Sequence, residues 1–210
     1  MNHSSDILHN MSKQFILRNN MQTQEKKYIS PEEYLETECK AEFKSEYYNG
    51  EMFALAGAGR WHNIICHNIG LSLGNQLKDK PCEIYQNDMR VFIDENAFYT
   101  YPDVVVACGE PEFNKDENLV NPILIIEILS PSTEKYDKGA KFYFYRNIKS
   151  LKEYILVYQE EFLIEQFIKQ SENEWKLKIY NKANMAAELV SIDCQLPVSD
   201  IYNKIKIVKG

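Results

Sequence analysis

Two short segments limit what this chain can fold into more than any others. Residues 101–108 read YPDVVVAC and residues 122–129 read PILIIEIL. Both are too short for a buried helix, rich in β-branched side chains, and apolar on both sides of the chain. That pattern predicts strands covered on both faces. A sheet of this kind needs a packed layer above it and another below. Each segment also holds one acid where none is expected, Asp103 in the first and Glu127 in the second. An ionised carboxylate in a dry strand costs several kcal/mol unless it is paired or bound to a metal.

The flanking sequence supplies the layers. Ser30-Pro31-Glu32-Glu33 has the form of a capped helix start, and this helix is expected to end near Cys39. Asn49-Gly50 suits a tight hairpin between strands at 46–48 and 51–56. Residues 62–77 repeat apolar side chains at helical spacing. Residues 82–86 and 89–93 read as strands, and a helix opens at Ser132-Thr133 and runs to about Arg146. Three more strands are expected at 154–158, 162–169 and 175–179, with a short helix in the tail. The order predicts an α/β (mixed α+β) domain over residues 25–210, preceded by a polar, flexible lead-in over residues 1–24. Apolar residues make up 44% of the 210, enough for a sizeable core.

Charge narrows the function classes. With 31 acids against 24 bases the net charge is −7, which argues against a generic polyanion binder. Residues 134–152 run the other way, with six bases (Lys135, Lys138, Lys141, Arg146, Lys149, Lys152) against Glu134 and Asp137. By the i, i+3, i+7 rule Lys138, Lys141 and Tyr145 share one face of that helix. Five scattered cysteines without a CxxC pair point to reduced core thiols in a cytoplasmic protein. No run approaches the roughly 20 apolar residues of a membrane-spanning helix.

The acids carry the chemistry. Neighbouring strands lie ~4.8 Å apart, so Asp103 and Glu127 on adjacent strands can share one cation. Hard oxygen donors without cysteine favour Mg²⁺ or Mn²⁺ over Zn²⁺. His62 and His67 are spaced wrongly for a helical metal pair, there is no HExxH, and the GAGRWH stretch lacks the third glycine of a dinucleotide loop. No serine or cysteine sits in a nucleophile elbow. Asp88, at a strand junction, is read as a turn former.

Pro102-Asp103, then Glu127 on the next strand, then a lysine, resembles the PD-(D/E)XK nuclease superfamily. Within it the chain is most similar to the Uma-type (Uma-two) family of restriction-endonuclease-like proteins. The matching stretches are SEYYNGE, RWHN, QNDMRV, YPDVVV, PILIIEILSPSTEKYDKGAKFYFYR and SLKEYILV, in that order. The resemblance implies a central mixed sheet flanked by helices, with metal-dependent hydrolysis of DNA phosphodiesters by a homodimer. It also implies Glu46 as a third acid, beside Asp103 and Glu127 as metal ligands, and a substrate-binding role for His62. One position departs from the pattern. The motif lysine should stand two residues after Glu127, where this chain has Leu129. Lys141 is the first candidate to replace it and Lys138 the second. The alternative is a catalytically weak or inactive nuclease fold that binds nucleic acid or serves as a scaffold, and RNA or a branched or damaged substrate also stays open.

Overall fold

The computed structural model describes residues 27–93 and 97–207. The expected lead-in over residues 1–24 lies outside them. Helix α1 (Pro31–Glu38) begins as the sequence requires. The Ser30 hydroxyl accepts from the Glu33 N–H and the Glu33 carboxylate accepts from the Ser30 N–H, which completes the capping box. Strands β1 (Ser45–Tyr48) and β2 (Glu51–Ala54) form the hairpin. Its two turn residues have positive φ, 45° at Asn49 and 89° at Gly50. Any side chain at Gly50 would also strike the Tyr28 ring, so glycine is required there twice over.

Helix α2 (Arg60–Leu77) follows, then β3 (Cys82–Gln86), β4 (Val91–Ile93), β5 (Phe98–Thr100), β6 (Val104–Cys108) and β7 (Leu124–Leu129). After a broken helical stretch come β8 (Glu153–Tyr158), β9 (Ile164–Ser171) and β10 (Glu174–Tyr180). The hairpin β11 (Ala186–Leu189) and β12 (Cys194–Pro197) and the short α5 (Val198–Ile201) complete the described chain.

The central sheet has six strands in the order β10-β9-β8-β7-β6-β3. It is mixed, with β7 and β8 parallel and the other neighbours antiparallel. Strands β6 and β7 are neighbouring interior strands of it and are buried, as their apolar runs demand. Their even-numbered side chains Val104, Val106, Leu124, Ile126 and Ile128 pack with α2 and the β11–β12 hairpin. The odd-numbered Val105, Ala107, Ile125 and Leu129 pack with β4, β5 and the helical stretch after β7. A second sheet of four strands, β2-β1-β5-β4, contributes to that side.

Three elements differ from expectation. Strand β5 is only three residues long and was hidden between polar stretches. The β11–β12 hairpin is short and interrupted by polar positions. The helix expected from Ser132 to Arg146 is not one α-helix: α3 (Glu134–Tyr136) passes into a π-helical turn (Asp137–Lys141) and then α4 (Phe142–Tyr145). The cysteines differ as well. Cys82 and Cys108 occupy one rung of the β3–β6 pair and are joined by a disulfide, whereas Cys39, Cys66 and Cys194 are free thiols.

Candidate active site

Asp103 stands just before β6. The rung next to it pairs Val104 with Ile126, so one step further along Asp103 falls opposite Glu127. Its carboxylate is fixed from two sides. The Ile128 N–H donates to Oδ2 at 2.7 Å, and His62 Nε2 lies 3.0 Å from Oδ1. His62 comes from the first turn of α2, so the helix on one face of the sheet reaches over its end to the acid. The other ring nitrogen, Nδ1, is buried without a hydrogen-bond partner among the described residues.

Glu127 is 3% exposed, in the middle of the apolar strand β7. The Lys141 ammonium donates to its Oε1 at 3.0 Å, and the Tyr145 hydroxyl donates to the same oxygen at 2.8 Å. Lys141 also lies 3.1 Å from Glu46 Oε1 and 3.5 Å from Asp137 Oδ1. Three carboxylates thus share one buried ammonium. Glu46 sits on β1 of the smaller sheet, where Thr100 donates to its Oε1 and the Tyr136 hydroxyl to its Oε2 at 2.9 Å. Thr100 Oγ1 in turn lies 3.2 Å from the Tyr145 hydroxyl. The two sheets therefore meet at this cluster.

The electrostatics follow from burial and from the surplus of acids. Burial pushes the Glu127 carboxyl well above its usual range; Lys141 opposes this, and Asp103, Asp137 and Glu46 add to it. Burial likewise lifts Asp137 to about 6. For Lys141, burial pulls downward, but Glu127, Glu46, Tyr145 and Asp137 outweigh it and hold the ammonium well above the ordinary lysine value. The cluster keeps its single cation charged and is short of positive charge.

The residues named from sequence separate cleanly. Asp103, Glu127, Glu46, Lys141 and His62 come together. Lys138 does not join them: its ammonium lies 3.2 Å from Glu165 Oε1 and close to the Tyr158 hydroxyl. Asp88 pairs with Lys44 on the surface. The shared face expected for Lys138, Lys141 and Tyr145 is broken by the π turn. A π turn is wider than an α turn, and here Asp137, Lys141 and Tyr145, four residues apart, all reach the cluster while Lys138 faces outward. Thr100, Tyr136 and Asp137 were missed. Only Asp137 left a trace in the sequence, as the acid four residues before Lys141.

The donor set fits a hard divalent cation in kind. It is all oxygen, it is rich in carboxylate, and its one lysine does not balance the acids. Among the described residues, no three acidic, histidine or cysteine side chains already converge on one ligand position. Glu127 and Asp103 are instead held by Lys141, Tyr145, His62 and a backbone N–H.

Comparison with known proteins settles the family. The model of the Uma2 family, described as "Putative restriction endonuclease", matches residues 31–199. The chain belongs to the Uma2 family. Synechocystis sp. is the source of two relatives. The uncharacterized protein slr1290 is 34% identical over 174 residues, covering 83% of this chain and 91% of its own length. The uncharacterized protein sll1609 is 40% identical over 153 residues, covering 72% and 86%. Among solved structures, a "putative nuclease belonging to DUF820" from Anabaena variabilis superposes with a TM-score of 0.68 at 16% identity, covering 83% of this chain and 97% of that one. At that identity the likeness concerns the fold, and it agrees with the mixed sheet flanked by helices described above. No described helix of this Uma2 chain is long and apolar enough to cross a membrane.

Proposed function

We propose that this Uma2 protein hydrolyses phosphodiester bonds in DNA with the help of a divalent cation, Mg²⁺ or Mn²⁺. The observation that carries the reading is the meeting of Asp103, Glu127 and Lys141. Two acids stand at opposing register positions, and a lysine from the following helix reaches Glu127, one of the two, in place of the lysine missing at Leu129.

Asp103 and Glu127 would hold the cation, with Glu46 behind them. Such an ion, when bound, polarises a phosphoryl oxygen and lowers the pKa of water. The chain's own groups do the rest. Lys141 keeps a fixed positive charge beside the carboxylates, where charge grows on the phosphoryl group during attack. Its position is set beforehand by Glu46 and Asp137, so little reorganisation is left for the reaction itself. Tyr145 and Lys141 hold Glu127 by the same oxygen, Oε1. His62 orients Asp103. Cutting both strands of a duplex needs two such sites, which a homodimer supplies.

Incubation of plasmid DNA with Mg²⁺ or Mn²⁺, with and without chelator, is the test. Nicking or linearisation that needs the metal and is lost in Asp103→Asn and Glu127→Gln is expected. Tight DNA binding with no cleavage under either ion would replace the enzyme by a binding module. Cleavage of RNA alone would change the substrate and keep the chemistry.

A further inference from the structure

An acidic site that acts on a phosphodiester must still attract a polyanion. Lys141 cannot do this from the surface, since it is buried and committed to three carboxylates. Lys44 is paired with Asp88, and Arg90 is engaged by Asn118 and Tyr101. Arg60 is different. It is exposed, it opens α2 two residues before His62, and it has no carboxylate partner among the described residues. Its guanidinium lies over the Trp61 ring, 4.6 Å from the centroid. The preceding loop, residues 56–59, is exposed, and a Cβ at Gly57 or Gly59 would meet nothing within 4 Å. The approach to this pair is open.

An arginine whose guanidinium lies over an aromatic ring keeps N–H donors free for a ligand and has already lost some of its rotational freedom. Its fork of donors matches two oxygens of a phosphate. We infer that Arg60, stacked on Trp61, is a substrate-binding residue that grips a backbone phosphate of the nucleic acid beside the scissile step. This rests on the nuclease reading for its substrate class, but binding alone can test it. Arg60 lies in the same first helical turn as His62, whose ring contacts Asp103, which brings the stacked pair near that end of the site. It contacts no reacting atom and should act on binding rather than on the chemical step.

The experiment measures binding of a labelled DNA duplex across a salt series, together with steady-state cleavage. Arg60→Ala should weaken binding about tenfold and make the slope of log affinity against log salt shallower by about 0.9, the value for one phosphate contact. KM should rise and kcat should stay within about twofold. Arg60→Lys should keep the salt slope yet recover only part of the affinity, because charge returns without the fork. Trp61→Ala should fall between wild type and Arg60→Ala. An unchanged slope in Arg60→Ala overturns the assignment, and so does a loss of kcat at constant KM. Competition by inorganic phosphate at Arg60 without any effect of Arg60→Ala on duplex binding also overturns it, since the anion held would then be a free one. Duplex binding that depends on Arg60 in a protein that cleaves nothing supports the phosphate contact while removing the nuclease reading.

Discussion

Lys141 lies 3.0 Å from Glu127, though the lysine belongs to a helical turn and the glutamate to the strand before it. In the proposed reading this ammonium takes the role left open at Leu129. Removing it leaves Glu127, Glu46 and Asp137 buried without a cation. Lys141→Met should therefore cost about 3–5 kcal/mol of stability, the range for breaking a buried pair from one side, and abolish cleavage. Lys138→Ala, at the protein surface, should cost no more than about 0.5 kcal/mol and leave the rate within twofold. Chemical denaturation and plasmid cleavage of both variants check this, and an inactive Lys138→Ala beside an active Lys141→Met would reverse the assignment.

Asp137 makes stability depend on pH in an unusual direction. Its carboxyl is lifted from 3.8 to about 6, first by burial, so the folded protein holds this proton longer than the unfolded chain does. Between those values the folded state binds more protons, and unfolding free energy falls as pH rises. The contribution is complete below the unfolded value and gone above about pH 6. Its size is on the order of 3 kcal/mol. Asp137→Asn should flatten the fall between pH 4 and 6, measured by denaturant titration. An identical slope in the variant would place the titrating group elsewhere.

Tyr145 tests the support around the acid. Tyr145→Phe deletes the hydroxyl that donates to Glu127 and lies beside Thr100. A loss of about 1–2 kcal/mol is expected for the buried carboxylate oxygen left with one donor fewer. Cleavage should slow while duplex affinity holds. Full activity with unchanged stability would show that Lys141 alone suffices to place Glu127.

Metal binding has a readout that does not need turnover. If Asp103 and Glu127 take a divalent ion, Mn²⁺ should raise the melting temperature of the wild type with increasing concentration. Asp103→Asn combined with Glu127→Gln should abolish the increase. A shift of equal size in the double variant would move the ion to another place.

The sheet was legible because its central strands are buried on both faces, and a run such as LIIEIL admits little else. The first helix and the hairpin were legible because caps and positive-φ turns depend on local chemistry at Ser30, Glu33, Asn49 and Gly50. What escaped was structure set by distant packing. Strand β5 acquires its meaning only by pairing with β1 and β4. Asp103 and Glu127 stood out because a charge in an apolar strand is costly. Thr100 and Tyr136 are ordinary residues in ordinary places and become part of the cluster only when Glu46 arrives beside them. The choice between Lys141 and Lys138 turned on the width of one helical turn, which α-helical spacing misjudges. The Cys82–Cys108 bond was invisible for the same reason, since only strand register brings the two together.

The cluster draws Glu46, Asp103, Glu127 and Lys141 from four separate stretches and from both sheets. During synthesis the carboxylates leave the ribosome first and the ammonium last. A truncated or half-folded copy would hold the acids without the ammonium that Glu46 and Glu127 share, so the cluster is complete only once the whole scaffold has closed.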